Sequence, residues 1–286
     1  MSQEQFVLSG VCDQVKVRLD GRIQHEFRQV LVEFSDKAGQ VAVRLGNTHV
    51  SCSVLGEITA PASDRPNEGR LFFNLEMTPI ASPAFESFRT SPEAVMIGNF
   101  VERTLRGSKA VDTDALCVLA GKSVWSLRVD MKVLNDDGNI SDAVSLAALL
   151  ALGTFRREIS DLREPVPLAI HHLPISCTFA LVNGLPLADP TSPEERVGNA
   201  FTLVANQHGE LCGIHKPGGS PIDTEILAEC FQVAVRRTKD ISVLVQTEIA
   251  NFNVRRKQLV QNIHQKYTAD QLITVPSHSV GDILSA

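Results

Sequence analysis

Three carboxylate side chains lie close together in one short segment of the sequence. Residues 188–196 are ADPTSPEER, so Asp189, Glu194 and Glu195 fall within seven positions, among prolines and small polar residues that are typical of a turn. A pair of carboxylates can hold a metal ion or transfer a proton beside a phosphate group. The residues alone leave three interpretations open: a catalytic pair, a weak metal site, or an ordinary solvated turn.

Three basic residues recur at a spacing of three in the segment VERTLRGSK. Arg103, Arg106 and Lys109 lie on or just past a predicted helix, where such a spacing points side chains roughly to one side. Arginine suits phosphate oxygens because its planar fork donates two hydrogen bonds at once. The alternative is a solvated helix face with ion pairs, for instance to Glu102 or to an acidic surface of another subunit.

Other polar residues give weaker signals. Arg18, Asp20 and Arg22 form either a structural ion-pair cluster or a contact with another protein, and the sequence does not decide between the two. His171 and His172 occur in the apolar segment LAIHHLPI, where a strand would turn adjacent side chains to opposite faces. They cannot easily share a metal ion, so we expect them in the core or at an interface.

The composition is that of a globular chain. Its 286 residues are 43% hydrophobic and 21% charged, which is enough for a core in one large domain or two small ones. The net charge of −6 means that nucleic-acid binding depends on a local basic patch. Because the sequence shows neither a long apolar run nor a secretory signal, we expect an intracellular protein with no membrane partner.

The six cysteines give no sign of a metal site or a disulfide framework. They are Cys12, Cys52, Cys117, Cys177, Cys212 and Cys230, and no two of them form a C-x-x-C pair. Most have apolar neighbours, so we predict buried, reduced thiols.

The first half of the chain alternates strand and helix patterns. VLVEF, VAVRLGNTHVSCSVLGEI and RLFFNLEM have the composition and period of strands, with a hairpin turn at LGNT. AVMIGNFVERTLRGSKA predicts a helix that ends near Gly107. SDAVSLAALLALGTFRR predicts a second helix, with Ser141 or Asp142 as its N-cap and Arg156 and Arg157 at its far end, where cations complement the helix dipole.

The second half repeats this order less regularly. Strand patterns at 167–189 and 200–215 precede a helical run from Asp223 to Lys257, whose basic residues 255–257 are predicted to form a surface patch at the helix end. The order predicts an α+β fold of pseudo-duplicated β-sheet and helix layers, mostly antiparallel, in a single large domain. We divide the chain into an N-terminal segment (1–29), a first half (30–160), a second half (161–256) and a C-terminal segment (257–286).

Several segments together resemble one known family. They are RLDGR (18–22), RPNEGRLFFNLEMTPIASPAFE (65–86), the run from VERTLRG to ISDA (101–143) and EPVPLAIHHLPI (164–175). Through them the chain is similar to the RNase PH family of phosphate-dependent RNA exonucleases, most closely to eukaryotic subunits of the RNA exosome ring. The resemblance runs from about Val17 to Arg256. DTDALCVLAGKSVW joined to LNDDGNISDA is its most specific part.

The resemblance implies an RNase PH-like fold and a place in a ring. In this family six subunits, arranged as three heterodimers, surround an RNA channel. The chain resembles the counterpart of the non-catalytic archaeal subunit, which implies a direct heterodimer with the subunit related to the archaeal catalytic one. Cap proteins, a hydrolytic nuclease and RNA are the other implied partners. The expected locations are the nucleus, including the nucleolus, and the cytoplasm.

The resemblance also gives roles to residues at matching positions. Active members carry two aspartates six residues apart on this hairpin; the first matches Asp189 and the second matches Glu195, which is one methylene longer. Their phosphate loop carries Gly-Ser/Thr-Arg, which matches Asn139, Ile140 and Ser141, so both the glycine and the arginine are missing. We interpret these five residues as degenerate active-site positions and expect no catalytic residue, metal or cofactor, with weak metal binding by Asp189 and Glu195 as a remaining possibility.

Two functions remain open after this comparison. Asp136 and Asp137 precede the degenerate loop and put negative charge where the attacking phosphate would bind, which favours a non-catalytic ring subunit. The rival is a phosphorolytic 3′-exoribonuclease, acting alone or through a composite site with its partner. In archaeal relatives the arginines of the VERTLRGSK position reach RNA, which implies RNA binding by Arg103, Arg106 and Lys109.

Overall fold

A computed structural model describes residue 7 and residues 18–82, 85, 91–157 and 165–273, with side chains as far as residue 261. It contains twelve strands and four α-helices in these ranges, and a short 3-10 turn at Asp114–Leu116. The order is β1 (Val30–Phe34), β2 (Gln40–Leu45), β3 (Thr48–Thr59), β4 (Arg70–Met77), α1 (Pro92–Gly107), β5 (Cys117–Leu119), β6 (Ser123–Asn135), α2 (Ile140–Thr154), β7 (Arg156–Arg157), β8 (Val166–Pro167), β9 (Ile175–Val182), β10 (Leu185–Ala188), α3 (Ser192–Val197), β11 (Asn199–Ala205), β12 (Leu211–His215) and α4 (Thr224–Ile273).

The first sheet has the strand order β1-β2-β3-β6-β4, with β5 paired to β6. The LGNT segment is the predicted hairpin turn between β2 and β3, and Gly46 within it has a positive φ of 58°. The strand at 70–77 and the end of α1 at Gly107 are also confirmed. The pairing of β4 with β6 is parallel, because α1 and β5 connect these strands, so the first sheet is not wholly antiparallel.

Helix α2 lies at the centre of the molecule. Every residue from Ala143 to Leu152 is buried, which is typical of a helix that is apolar on all sides. It packs against β2 and β3 of the first sheet, β9 of the second sheet, and α4. The N-cap prediction is wrong, since Asn139 occupies that position, and Arg156 and Arg157 lie beyond the helix in β7.

The second sheet has the antiparallel order β10-β9-β11-β12 and is covered by the start of α4. Phe179 and Phe201 stack with ring centroids 5.6 Å apart, and both pack with Cys230 and Ala234 of α4. The larger hydrophobic core is continuous from the first sheet through α2 to Ile175 and Val204. The two sheets therefore share α2 as one core element, in agreement with the predicted α+β fold in a single domain.

Helix α4 confirms the predicted helical run and extends it to residue 273. Ile241, Val245 and Phe252 bury its inner face, and the Phe252 ring lies 5.2 Å from that of Phe34. Because the helix continues, residues 255–257 lie within it and not at its end, contrary to the prediction.

The described cysteines agree with the sequence analysis, since all five are free and three of them are buried. Cys12 lies outside the described residues, as do parts of the segments 1–29 and 257–286, and the four-part division of the chain stays a prediction. Among the helices in the described ranges, none has the length and apolar character that crossing a membrane requires.

Candidate functional site

Asp189 lies at the end of β10 and is fully buried. Its backbone N–H donates to the Thr178 carbonyl at 2.9 Å, and its φ is +50°, a value that aspartate tolerates better than most residues. The interpretation of this segment as a solvated turn is therefore wrong for Asp189, because solvent does not reach its side chain.

Five N–H donors converge on the Asp189 carboxylate. Oδ1 accepts from Arg28 Nη2 at 2.8 Å and from Asn139 Nδ2 at 2.6 Å. Oδ2 accepts from the Arg28 backbone N–H at 2.8 Å, from Arg28 Nε at 2.9 Å and from Arg22 Nη1 at 3.0 Å. Burial alone would raise the pKa of Asp189, but the Arg28 and Asn139 donors outweigh it, so the pKa is below its usual 3.8. The carboxylate is ionised and its lone pairs are occupied.

A second buried ion pair lies beside the first. Arg18 holds Glu194 in a two-pronged contact, with Nε donating to Oε1 at 2.8 Å and Nη2 to Oε2 at 2.5 Å. Arg18 also donates to the carbonyls of Ala188 and Asp189, at 2.7 and 2.8 Å. Glu194 Oε2 accepts from the Thr191 backbone N–H at 2.8 Å, which stabilises the first turn of α3.

These contacts settle the role of the N-terminal arginines. Arg18 and Arg22 form a structural ion-pair cluster, in which Asp20 also pairs with Arg22 at 2.6 Å. Arg28 and Glu194 have central places in it that the sequence analysis did not assign. The available signal was the series of arginines at 18, 22 and 28, of which Arg18 pairs with Glu194 and the other two pair with Asp189.

Asn139 connects this cluster to helix α2. Its Nδ2 donates to both Asp142 and Asp189, and its φ of 56° is one that asparagine adopts readily. Gly138 before it has a φ of 81°, and a Cβ there would lie 2.4 Å from the backbone nitrogen of Ser192. The loop therefore packs directly against the turn that follows Asp189.

The backbone N–H groups of this loop already have carboxylate partners. The Gly138 N–H donates to Asp136 Oδ1 at 3.0 Å, and the Asn139 N–H donates to Glu195 Oε1 at 2.9 Å. A phosphate cradle requires such groups to point at the ligand. The structure thus brings Asn139, Asp189 and Glu195 together, whereas Ile140 is buried in the core and Ser141 is half-buried in the first turn of α2.

The surroundings of Glu195 are electronegative. Burial raises the pKa of this half-buried carboxyl to about 8; the Asn139 N–H opposes that shift, and the nearby charges of Asp136 and Glu93 add to it. The pKa of Glu93 is raised as well, by burial and by Asp136. The negative charge of Asp136, which disfavours ionisation of both groups, also repels an incoming phosphate.

The hairpin does not have the chemistry of a cation site. N–H donors already bind both carboxylate oxygens of Asp189, whose lone pairs a metal ion would need. Across the ranges that the structure describes, no group of three or more His, Cys, Asp or Glu side chains is arranged to hold a metal ion.

The three basic candidates do not all meet in one place. Arg106 and Lys109 line an open cleft together with Arg65 and Arg70. Arg106 pairs with Glu102 at 3.2 Å and donates to the Leu71 carbonyl. Arg103 is exposed and is not among the described residues that line the cleft. The pKa of His215 in β12 is lowered first by burial of its ring and second by the charge of Arg103.

His171 lines the same cleft, and its position there corrects part of the prediction for the two histidines. Asp64, Glu68, Asp112 and Asp114 also line the cleft, and His171 is 60% exposed and lies 3.7 Å from Asp112. His171 and His172 both precede the strand that begins at Ile175, so neither lies on a strand, contrary to the prediction. His171 is not a core residue, and its place at an interface stays a prediction.

Comparisons with known proteins give one consistent family. Domain 1 of the 3′ exoribonuclease family, RNase PH, matches residues 26–158, and domain 2 matches residues 172–237. The chain is 38% identical over 274 residues to exosome complex component RRP45B of Arabidopsis thaliana, covering 90% of this chain and 62% of that protein. It is 36% identical over 286 residues to component RRP45A of the same plant, covering 94% and 92%.

A solved structure agrees with these relatives. One chain of the Archaeoglobus fulgidus exosome with RNA bound to the active site superposes with a TM-score of 0.78 at 32% identity, covering 84% of this chain and 96% of that one. The chain thus spans less than two thirds of the length of the first plant relative but nearly all of the second and of the archaeal chain.

The buried carboxylate provides a direct test of the cluster. We expect Asp189→Asn to lower the free energy of unfolding by about 3 to 5 kcal/mol, because the amide keeps the shape but removes the buried counter-charge that Arg22 and Arg28 share. Denaturant unfolding followed by circular dichroism measures the change. Asp240→Asn, at an exposed position of α4, is the matched control, and an effect of Asp189→Asn no larger than this control would contradict the assignment.

The raised pKa of Glu195 predicts a specific pH dependence. The pKa in the folded chain is about 8 against an ordinary value of 4.5, so the unfolded chain loses its proton first and stability falls as the pH rises from 4.5 to 8. Glu195→Gln removes this loss. Unfolding curves should coincide near pH 4.5, and by about pH 8 the variant should be more stable by about 2 kcal/mol, less than the full shift implies because part of the side chain meets water.

The exposed Glu225→Gln variant serves as the control for this titration. A stability difference between Glu195→Gln and the unmodified chain that is the same at every pH would show that Glu195 has an ordinary pKa.

Proposed function

Since the chain belongs to the RNase PH family of 3′ exoribonucleases, we propose that it is a ring subunit of an RNA exosome that does not itself catalyse phosphorolysis. The place in an exosome ring is supported by the two RRP45 relatives, each at least 36% identical over 90% or more of this chain. The likeness to an archaeal exosome chain, with a TM-score of 0.78, supports it independently.

The burial and hydrogen bonding of Asp189 are the main support for the proposal that the chain does not catalyse phosphorolysis. This residue matches the first catalytic carboxylate of active family members, and a carboxylate in that role must reach the scissile phosphate through a metal ion or a proton. Here it is fully buried and receives five N–H donors. Freeing it for catalysis would break the contacts that hold the N-terminal segment to the hairpin.

The loop before α2 supports the same conclusion. The N–H groups that an attacking phosphate would use at Gly138 and Asn139 donate to Asp136 and Glu195. A phosphate would have to displace these side chains and would then face the charge of Asp136. Binding of the nucleophile is therefore unfavourable even before the chemical step.

The partners and locations belong to the same proposal. The chain forms a heterodimer with the ring subunit related to the archaeal catalytic one, and the assembled ring carries cap proteins and a hydrolytic nuclease. It acts in 3′-to-5′ RNA processing and degradation, including that of ribosomal RNA, in the nucleus, the nucleolus and the cytoplasm. Its own contribution is architectural, through completion of the channel wall.

We also propose that Arg106 and Lys109 contact RNA in the assembled ring. Both line the open cleft beside Arg65 and Arg70, so four cationic side chains are available there among the four carboxylates of the same cleft. Lys109 is exposed just beyond the helix, so it can reach a phosphate without breaking an internal contact. Arg103 does not line this cleft, so the structure gives less support for an RNA contact by Arg103.

Native composition tests the ring proposal. The chain, purified from its source cells at moderate salt, should be recovered with other RNase PH-like subunits, cap proteins and a hydrolytic nuclease. Native mass spectrometry gives both mass and composition. Recovery as a monomer or a homo-oligomer would contradict the proposal.

Activity measurements test the non-catalytic proposal separately. The isolated full chain, incubated with RNA and inorganic phosphate, should release no nucleoside diphosphates, because the phosphate cradle and Asp189 are both occupied. Chromatography of the products measures this. Phosphate-dependent release that Glu195→Gln abolishes and Glu225→Gln preserves would show that the chain is an active phosphorolytic enzyme.

The salt dependence of RNA binding tests the cleft. Lys109→Gln in the assembled ring should reduce the slope of log affinity against log salt by about 0.7, the value expected for one lost phosphate contact to a single strand. Lys37→Gln, at an exposed position in the turn between β1 and β2, is the matched control. An unchanged slope for Lys109→Gln would place RNA elsewhere.

A further inference from the structure

A narrow cavity lies between helix α2, strand β9 and helix α4, directly behind Asn139. Its volume is about 30 Å³. The wall is mostly apolar, and its polar members are Asn139, Asp142, Ser176, Cys177 and Arg237. These residues come from both halves of the chain, so the cavity lies where the two halves meet.

The side-chain amide of Asn139 has only one acceptable orientation. Its Nδ2 donates to Asp142 Oδ2 at 2.9 Å and to Asp189 Oδ1 at 2.6 Å. A flipped amide would instead direct Oδ1 at the ionised Asp189 carboxylate, which cannot donate. Oδ1 is therefore fixed as an acceptor; it is buried and finds no donor among the residues that the structure describes.

Ser176 presents a second buried polar atom to the same cavity. The residue is 6% exposed, and its Oγ has no hydrogen-bond partner within the described part of the chain. A hydroxyl can both donate and accept, whereas Asn139 Oδ1 can only accept. Buried polar atoms in folded proteins are nearly always paired, so both atoms point to a ligand that donates hydrogen bonds.

We infer that this cavity binds one or two ordered water molecules that donate to Asn139 Oδ1 and exchange a hydrogen bond with Ser176 Oγ. A water molecule needs about 10 to 15 Å³ of such space and two to four polar partners, and the cavity provides both. Asp142 at the wall disfavours an anion, and Arg237, which also donates to the Arg28 carbonyl at 3.2 Å, disfavours a cation.

The bound water adds a connection between the two halves. It joins the start of α2, through Asn139, to β9, through Ser176. The same Asn139 side chain orients the Asp189 carboxylate, so the water stabilises the arrangement of the arginine cluster from its inner side. This inference is independent of the ring and RNA proposals.

A crystal structure of the full chain at a resolution that defines ordered solvent gives the first test. We expect density for one water within hydrogen-bond distance of both Asn139 Oδ1 and Ser176 Oγ, or for two hydrogen-bonded waters that each contact one of these atoms. A dry cavity, or a direct hydrogen bond between the two side chains, would overturn the inference.

A pair of variants gives the second test. Ser176→Ala removes a partner of the water and should raise the equilibrium constant for unfolding by about fivefold. Ser242→Ala is the matched control, since Ser242 also has a buried hydroxyl without a partner among the described residues but does not line this cavity. It should leave the constant unchanged or lower it. Equal destabilisation by the two variants would contradict the inference.

Discussion

The ionised carboxylate of Asp189, buried and surrounded by N–H donors, is the interaction on which the arrangement of the two halves depends. An isolated carboxylate in such a place would be driven to its neutral form. Arg22 and Arg28 keep it charged, and Asn139 adds a third source of donors. Since these residues come from the N-terminal segment, from the loop before α2 and from the second-half hairpin, one carboxylate joins three distant parts of the chain.

This use of Asp189 is also the physical basis of the functional proposal. A carboxylate can either neutralise buried guanidinium groups or serve a substrate, and the structure commits this one to the former. The same holds for the neighbouring loop, whose N–H groups at Gly138 and Asn139 hold Asp136 and Glu195. Under the proposed function, the chain keeps the fold of an exoribonuclease family while the residues at these positions stabilise that fold.

Local patterns in the sequence predicted the helices and strands well. Features that depend on contacts between distant residues could not be predicted in this way. The strand at 70–77, the LGNT hairpin and the end of α1 depend on neighbouring residues and were predicted correctly. The burial of Asp189 depends on Arg28, 161 positions away, and no periodicity carries that information. The N-cap at Asn139 was missed because its amide hydrogen bond to Asp189 outweighs the capping preference of Ser141 or Asp142. The strand placement of His171 was wrong because β9 begins only at Ile175.

Titration of the folded 286-residue chain with inorganic phosphate, followed by backbone amide NMR, tests the central claim most directly. The account predicts no saturable binding at millimolar phosphate and no shift of the amides of residues 138–141, because carboxylates already hold the N–H groups of Gly138 and Asn139. Saturable binding with shifts confined to those amides would contradict it, since the loop would then be a working phosphate cradle.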